Sequence, residues 1–176
     1  MNRVQITQNF YLDEFTRSQT AARHGIEIVI APGSDVFHNV ERLCTEILQP
    51  IRDHLGPVTI SSGYRPPEVN RLTGGSRTSA HLQGLAADFT VSGMTPLELA
   101  RWIAYRRGAF GAAKGVPLYF DQCIHEFGQW VHVGLAPLHQ PPRLQLLTAF
   151  KKPAPIAPSR PQTVYAQGIH PIADLT

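Results

Sequence analysis

The chain has 176 residues, of which 43% are hydrophobic and 16% charged, and its formal net charge is +3. This length and composition predict one folded domain with a proper hydrophobic core, and they exclude a disordered chain. The pI near 9.1 is mildly basic, but no block of consecutive Lys or Arg is present, so we expect no nucleic-acid partner. The same charge is compatible with a weak attraction to an anionic polymer.

The start of the chain and its two cysteines indicate the cellular compartment in which the protein is made. Residues 1–8 contain no long apolar run and no small-residue cleavage pattern, so we expect no signal peptide. No later stretch is apolar enough to span a bilayer, so no membrane insertion is expected. Cys44 in a helical pattern and Cys123 in a strand-like run favour two buried thiols in a reducing cytoplasm. We expect a monomer.

In chain order, the first strong pattern is an amphipathic helix that begins after Ser34 and ends at Gly56. Its apolar residues are spaced three and four apart: Val36, Val40, Leu43, Ile47, Ile51 and Leu55. Residues 58–60 then predict a short strand, and residues 68–72 predict one or two helical turns. A glycine-rich loop follows, and it leads into a buried strand over residues 86–91.

The second half of the chain begins with a capping box over residues 95–98, which predicts a helix that runs through Tyr105. Residues 118–127 and 130–135 predict two strands joined by a tight turn at residues 128–129. Early helices followed by clustered strands predict an α+β fold, with a small antiparallel sheet and flanking helices.

The chain becomes irregular after Pro137, so we predict a domain over residues 1–136 and a Pro-rich C-terminal extension over residues 137–176. Four prolines between residues 151 and 161 predict a linker or extended arm. Residues 163–165 either add an edge strand or stay mobile. No candidate site residue lies in the extension, so we expect it to serve packing or delivery rather than catalysis.

His81, Asp88 and His132 are the main candidate functional residues. Two imidazoles and one carboxylate form the three-ligand set of a catalytic zinc site, which leaves the fourth position for water or substrate. A structural zinc site would have four protein ligands, mostly Cys, and this chain has two cysteines. The chain must turn back between His81 and Asp88, and Gly84 permits that turn.

The residues around these ligands form a longer series of motifs. In chain order they are S-G-Y-R at 62–65, N-x-x-x-G-G at 70–75, S-x-H-x-x-G-x-A-x-D at 79–88 and W-V-H-V at 130–133. The series resembles the M15-type zinc D-Ala-D-Ala peptidases, a family of bacterial carboxypeptidases and phage endolysins that shares a metal scaffold with the hedgehog signalling domain. The resemblance runs from about Phe10 to Leu135.

This resemblance implies a zinc peptidase that hydrolyses an amide bond in peptidoglycan stem peptides, as a D-Ala-D-Ala carboxypeptidase or an endopeptidase. A short chain without a signal peptide is closer to phage or prophage endolysins than to periplasmic carboxypeptidases. Such a protein is made in the cytoplasm of the host bacterium, and another component releases it to the cell wall. The alternative is a non-catalytic relative that keeps the zinc fold as a structural or wall-binding module.

The catalytic base departs from the family pattern. Many relatives carry an acidic residue three positions before the last histidine, but this chain has Gln129 there, which cannot take a proton. Glu126 is the nearest carboxylate, and a hairpin turn would fold it back beside His132. We therefore predict that Glu126 is the base, with Asp121 as the reserve candidate.

The remaining candidates follow from the resemblance. It implies that Arg65 faces a substrate carbonyl or terminal carboxylate, where its guanidinium would stabilise a developing oxyanion. It also implies that Ser79 hydrogen-bonds the substrate, although a loop cap is an equal alternative. Trp130 packs the hairpin or walls the substrate groove, and His125 points to the opposite face of its strand. The other histidines are predicted to be surface or structural residues: His24, His38, His54, His139 and His170.

Overall fold

The structure is a computed structural model that describes residues 3–108, 115–153 and 161–175. The described residues form a six-stranded sheet in the order β1-β2-β4-β3-β5-β6. Its strands are β1 (Val58–Ser62), β2 (Ala86–Val91), β3 (Gln122–Glu126), β4 (Trp130–Gly134), β5 (Gln145–Lys152) and β6 (Gln162–Gln167). The α-helices are α1 (Gln19–Arg23), α2 (Asp35–Leu43), α3 (Gln49–Leu55), α4 (Pro67–Leu72) and α5 (Pro96–Tyr105). Short 3-10 helices lie at Leu12–Phe15, Ala80–Gln83 and Ile172–Asp174.

The predicted first helix is present, but it contains a π-helical segment at Cys44–Leu48 that joins α2 to α3. The Gln49 N–H donates to the Cys44 carbonyl, five residues back. Pro50 follows and has no N–H, so an α-helical bond to the residue four before it cannot form. The helix begins at the Ser34 cap, and it ends at Gly56, whose positive φ of 92° suits glycine.

The sheet is larger than expected and is mixed. β3 and β5 run parallel, whereas the other neighbouring strands are antiparallel. The prediction of a small antiparallel sheet is therefore wrong in size and in strand direction, although the α+β class is confirmed. After β4 the chain returns to the start of β3, where Gln145 pairs with Gln122, and it then enters β5. Residues 147–150 of β5 are all buried, so they lack the alternation that marks a half-exposed strand.

The predicted hairpin is confirmed, with a shorter first strand that starts at Gln122 rather than at residue 118. Glu126 lies opposite Trp130, and residues 127–129 form the turn. Phe127 and Gly128 take positive φ values of 55° and 70° in this turn. The Gln129 N–H donates to the Glu126 carbonyl at 2.9 Å, which closes the turn.

The C-terminal segment joins the same sheet. β6 pairs with β5 and forms the edge of the sheet, and it contains residues 163–165. The predicted proline-rich arm falls mostly on residues 154–160, which lie outside the described residues. The division of the chain at residue 136 stays a prediction.

One face of the sheet packs against the helices to form the main core. α5 lies against β2, β3 and β4, and buried side chains of the helix from α2 to α3 join the same cluster. Cys44 and Cys123 are buried free thiols, as predicted, and burial raises the pKa of both. Among the described helices, none has the length and apolar character needed to cross a bilayer.

Removal of β6 tests its role as the edge of the sheet. We expect a chain truncated after Lys152 to unfold cooperatively but at a lower temperature, and to self-associate, because the edge of β5 loses its backbone partners. Thermal unfolding and light scattering measure both effects against the full chain. An unchanged unfolding temperature together with a monodisperse truncated chain would contradict this role.

Candidate metal centre

The centre is built on one row of directly opposed residues in the sheet. Asp88 of β2 lies opposite His132 of β4, and Ser62 of β1 lies opposite Asp88. Directly opposed residues point to the same face of a sheet, so the pairing itself brings Asp88 and His132 together. Both side chains are buried, with relative exposures of 4% and 7%.

His81 reaches this row from the 3-10 helix Ala80–Gln83. Gly84 ends that helix with a φ of 70°, and its N–H bonds to the carbonyls of Ala80 and His81. A Cβ atom at Gly84 would lie 2.9 Å from the Val36 carbonyl oxygen, so a larger residue would also collide with α2. The turn that the sequence predicts at Gly84 is therefore present, and it returns the chain to β2.

The structure brings the three predicted ligands together. The His81 Nε2 atom lies 3.1 Å from the Asp88 Oδ1 atom and 3.1 Å from the His132 Nδ1 atom. The His132 Nδ1 atom lies 2.8 Å from the same carboxylate oxygen. The three side chains form a buried group whose ligand atoms all lie within 4.8 Å of one another, which suits one metal ion.

The orientation of His81 is set by a backbone carbonyl. Its Nδ1 atom lies 2.7 Å from the Gly63 carbonyl oxygen, which can only accept, so Nδ1 carries the proton. The Nε2 lone pair therefore points toward Asp88 and His132. Burial lowers the pKa of His81, which keeps the ring neutral as metal binding requires.

The carboxylate of Asp88 is shared between the histidines and Arg65. Its Oδ2 atom accepts from the Arg65 Nη2 atom at 2.5 Å, while the Arg65 Nε atom donates to the Ser62 hydroxyl at 2.8 Å. Burial disfavours the charge on Asp88, but the two histidines outweigh burial and lower its pKa. Arg65 was predicted to face the substrate. In the structure it lines the cleft and its guanidinium is bound to Asp88, so any contact with substrate stays a prediction.

The donor set fits a metal ion on its own chemistry. Two imidazole nitrogens and one carboxylate oxygen converge in a buried position, and such atoms suit borderline divalent ions such as zinc. The Gly63 carbonyl hydrogen-bonds His81, and the Arg65 guanidinium hydrogen-bonds Asp88. Such hydrogen bonds to the ligands are usual in metal sites.

Glu126 lies on the same face of the sheet, one row away from His132. Its Oε2 atom accepts from the Trp130 indole N–H at 2.9 Å. Burial and the nearby charge of Asp88 raise the pKa of Glu126. Burial alone would lower the pKa of His132, but the hydrogen bond to Asp88 and the charges of Asp88 and Glu126 raise it overall. Gln129, at the family's usual acid position, is exposed in the turn.

The reserve base candidate is engaged elsewhere. Asp121 accepts hydrogen bonds from the Arg143 guanidinium at 2.5 to 3.0 Å, and these bonds lower its pKa even though partial burial acts in the opposite direction. His125 is buried on the opposite face of β3, as predicted, and its Nδ1 atom donates to the His170 carbonyl at 2.9 Å.

A cleft of about 1550 Å³ opens over the three ligands. Ser79 and Trp130 are partly buried in its walls, and their contact with a substrate stays a prediction. The cleft also includes Lys151 and Tyr165, which sequence reasoning missed. Side chains of a strand point alternately to the two faces of a sheet, so these two residues can be assigned to the face of the cleft only once the pairing of β5 and β6 with β3 is known.

The fold and this centre define an α+β domain with a buried His–Asp–His set at the base of an open cleft. The chain matches the sequence profile of the family described as Peptidase M15 over residues 8–133. This match covers well over half of the chain, and the chain therefore belongs to the M15 peptidase family. No curated protein matches the chain.

Gly63 offers a test of how the backbone supports the centre. A Cβ atom at this position would lie 2.6 Å from the Phe15 Cα atom, so the Gly63→Ala variant must move the segment whose carbonyl orients His81. We expect a lower unfolding temperature and weaker binding of a divalent metal, measured by thermal unfolding and by competition with a chelating dye. Gly93→Ala is the control for metal binding, because Gly93 does not line the cleft and has open space around its Cβ position. Its positive φ of 80° should make this variant less stable as well, but without weaker metal binding. Wild-type metal affinity in the Gly63→Ala variant would contradict the role of this contact.

Proposed function

We propose that this chain is a zinc peptidase that hydrolyses an amide bond in peptidoglycan stem peptides. The observation that carries the proposal is the convergence of His81, Asp88 and His132 at the base of a large cleft, in a member of the M15 peptidase family. Three protein ligands leave a position open for chemistry, whereas structural zinc sites are closed by four.

Zinc held by these three residues supplies a Lewis acid that polarises the scissile carbonyl and activates water. Glu126 supplies the proton transfer in this proposal. It lies on the same face as His132, and its raised pKa brings it closer to neutral pH, where a base can take a proton and return it to the leaving amine. The Trp130 indole N–H fixes the carboxylate of Glu126 in place.

Arg65 and Ser79 complete the proposed substrate contacts. Arg65 lines the cleft, and its Nε and Nη2 atoms are engaged by Ser62 and Asp88. In this proposal the remaining N–H groups of its guanidinium donate to an oxyanion or a terminal carboxylate of the substrate. Among the described residues, the Ser79 hydroxyl has no hydrogen-bond partner, and the Ser79 side chain makes no cap for the helix that follows it. These facts favour a substrate contact over the alternative of a loop cap.

The endolysin assignment is the finer part of the proposal. We propose a phage or prophage enzyme that is monomeric, made in the host cytoplasm and released to the wall by another component. The alternative is a zinc-binding structural or wall-binding relative on a hedgehog-like scaffold, which the absence of an acid at residue 129 favours. The open cleft and the position of Glu126 favour the enzyme.

Digestion of purified peptidoglycan distinguishes the proposed peptidase from the non-catalytic alternative. We expect the zinc-loaded protein to release new peptide ends, and mass spectrometry of the muropeptides would identify the bond that is cut. A protein that binds zinc and wall but yields no new ends under these conditions would support the non-catalytic alternative.

Metal content tests the ligand set. We expect about one zinc per wild-type chain. Little zinc should remain in the His81→Ala/His132→Ala double variant, since a single carboxylate cannot hold the ion. Elemental analysis after dialysis measures this, and His38→Ala is the control because His38 is exposed and lies outside the cleft. Full zinc occupancy in the double variant would show that the ligands lie elsewhere.

The base is tested by a pair of carboxamide variants. Glu126→Gln should retain zinc and the fold but lose about 10²-fold or more in turnover, which is typical of a lost general base. Asp121→Asn should retain most of its turnover because Asp121 is engaged by Arg143. Steady-state rates on a soluble stem peptide measure both variants. The opposite result, with Glu126→Gln active and Asp121→Asn inactive, would assign the base to Asp121.

A further inference from the structure

The strand pairing places Tyr165 in line with the proposed base. Trp130 lies opposite Glu126, Glu126 is the register partner of Ala149, and Ala149 lies opposite Tyr165. These four side chains therefore share one face and one row, adjacent to the row of Asp88 and His132. Ala149 has only a methyl group, so the space above it is left to its larger neighbours. Tyr165 lines the cleft and is 54% exposed.

The cleft between Glu126 and Tyr165 has an apolar floor. Ile124, Leu147 and Ala149 form a small buried cluster on this face, separate from the main core, and Phe127 packs against them. The electrostatic influence of Glu126 extends to Tyr165, whose pKa is raised by burial and by the charges of Glu126 and Asp88. A ligand bound beside the metal centre can therefore continue over this floor and contact the tyrosine ring.

Lys151 supplies a positive charge at the far end of the floor. Its Nζ atom donates to the Thr163 hydroxyl at 2.8 Å and lies 5.0 Å from the centre of the Phe127 ring. Among the described residues, each arginine that lines the cleft is bound to a carboxylate: Arg17 to Asp13, Arg65 to Asp88 and Arg143 to Asp121. Lys151 has no carboxylate partner in the part of the chain that the structure describes. Its charge is therefore available to an anionic group of a ligand.

We propose that β5 and β6 carry a substrate subsite in which Tyr165 packs on an aliphatic part of the stem peptide and Lys151 binds a free internal carboxylate. This inference rests on the proposed function, because it takes the ligand to be the peptide that is cut beside Glu126. A γ-linked glutamyl residue has this chemistry, since its side chain enters the peptide backbone and its α-carboxylate stays free. Both residues lie beyond residue 133, where the match to the M15 family ends.

Binding of two synthetic peptides to the zinc-loaded Glu126→Gln protein tests the subsite. The probes are L-Ala-γ-D-Glu-L-Lys-D-Ala-D-Ala and the same peptide with the α-carboxylate of the γ-D-Glu residue converted to an amide. We expect the amide to bind about 3-fold more weakly, as for a partly exposed ion pair. The added Lys151→Met substitution should weaken binding of the free acid by the same factor and remove the difference between the peptides. Lys152→Met is the control because Lys152 is exposed and lies outside the cleft.

The ring of Tyr165 is tested in the same protein. Tyr165→Ala should weaken both peptides about 10-fold, whereas Tyr165→Phe keeps the ring and should bind nearly as the parent does. Tyr119→Ala is the control for an exposed tyrosine, since Tyr119 is 49% exposed and does not line the cleft. Thermal unfolding and zinc content show whether each variant is folded. If Tyr165→Ala does not fold, the Lys151 comparison decides the proposal.

Cleavage of the free peptide by the wild-type protein is measured in parallel. Cleavage without any effect of amidation, Lys151→Met or Tyr165→Ala on binding would overturn the subsite and leave the proposed function intact. The expected binding differences without cleavage would support the subsite and count against the peptidase. Absence of both binding and cleavage would overturn both.

Discussion

The structure of the centre depends on the buried carboxylate of Asp88. A charge at 4% exposure is costly unless it is paired and hydrogen-bonded. Here one oxygen contacts both His81 and His132, and the other accepts from Arg65. The same side chain thus links β2 to β4, to the 3-10 helix before β2 and to the segment after β1. In the structure the two imidazole nitrogens and the carboxylate oxygen lie close to one another. A metal ion between them would be bound by all three, so these side chains are arranged as metal ligands.

The backbone segments around this carboxylate pack so closely that two of their glycines cannot be replaced by a larger residue without a shift of neighbouring atoms. Gly63 packs against the backbone of Phe15, and the Tyr64 N–H donates to the Phe15 carbonyl at 2.9 Å. Asn70 bonds to the Ser76 carbonyl, and its side chain fills the space in which a Cβ atom of Gly75 would lie. Gly63 and Gly75 are therefore needed for close packing, whereas Gly74 has open space around it and is favoured by its positive φ of 72°. The segments that they join support His81 and form one wall of the cleft.

Local patterns predicted much of the fold. The strand over residues 86–91 has the predicted bounds, because its apolar run is limited by a glycine region on each side. The helix at Pro96–Tyr105 follows its capping box, in which the Thr95 hydroxyl accepts from the Glu98 N–H at 3.2 Å. The metal ligands were predicted as a set because the motif residues stand close to them in the sequence. These signals are local, and the sequence contains them directly.

The features that the sequence did not reveal depend on which strands are neighbours. β5 runs parallel to β3, a pairing that needs a crossover and leaves no short-range pattern. The bond between Arg65 and Asp88 joins residues 23 positions apart, and the motif alone did not indicate it. Two strand pairings, from β3 to β5 and from β5 to β6, place Tyr165 in the same row as Glu126. No short window of sequence could predict this position.

The hairpin geometry is consistent with the proposed base at residue 126, although residue 129 is a glutamine. Residues 127–129 form the turn, so Gln129 is exposed where the chain reverses and has no strand partner. Glu126 is the last residue of β3 and lies opposite Trp130, two residues before His132, so its side chain shares the face of the ligands. A carboxylate at the end of the first strand therefore lines the cleft, as the proposed role of Glu126 requires. The Trp130 indole N–H donates to this carboxylate and so fixes its position beside the row of the ligands.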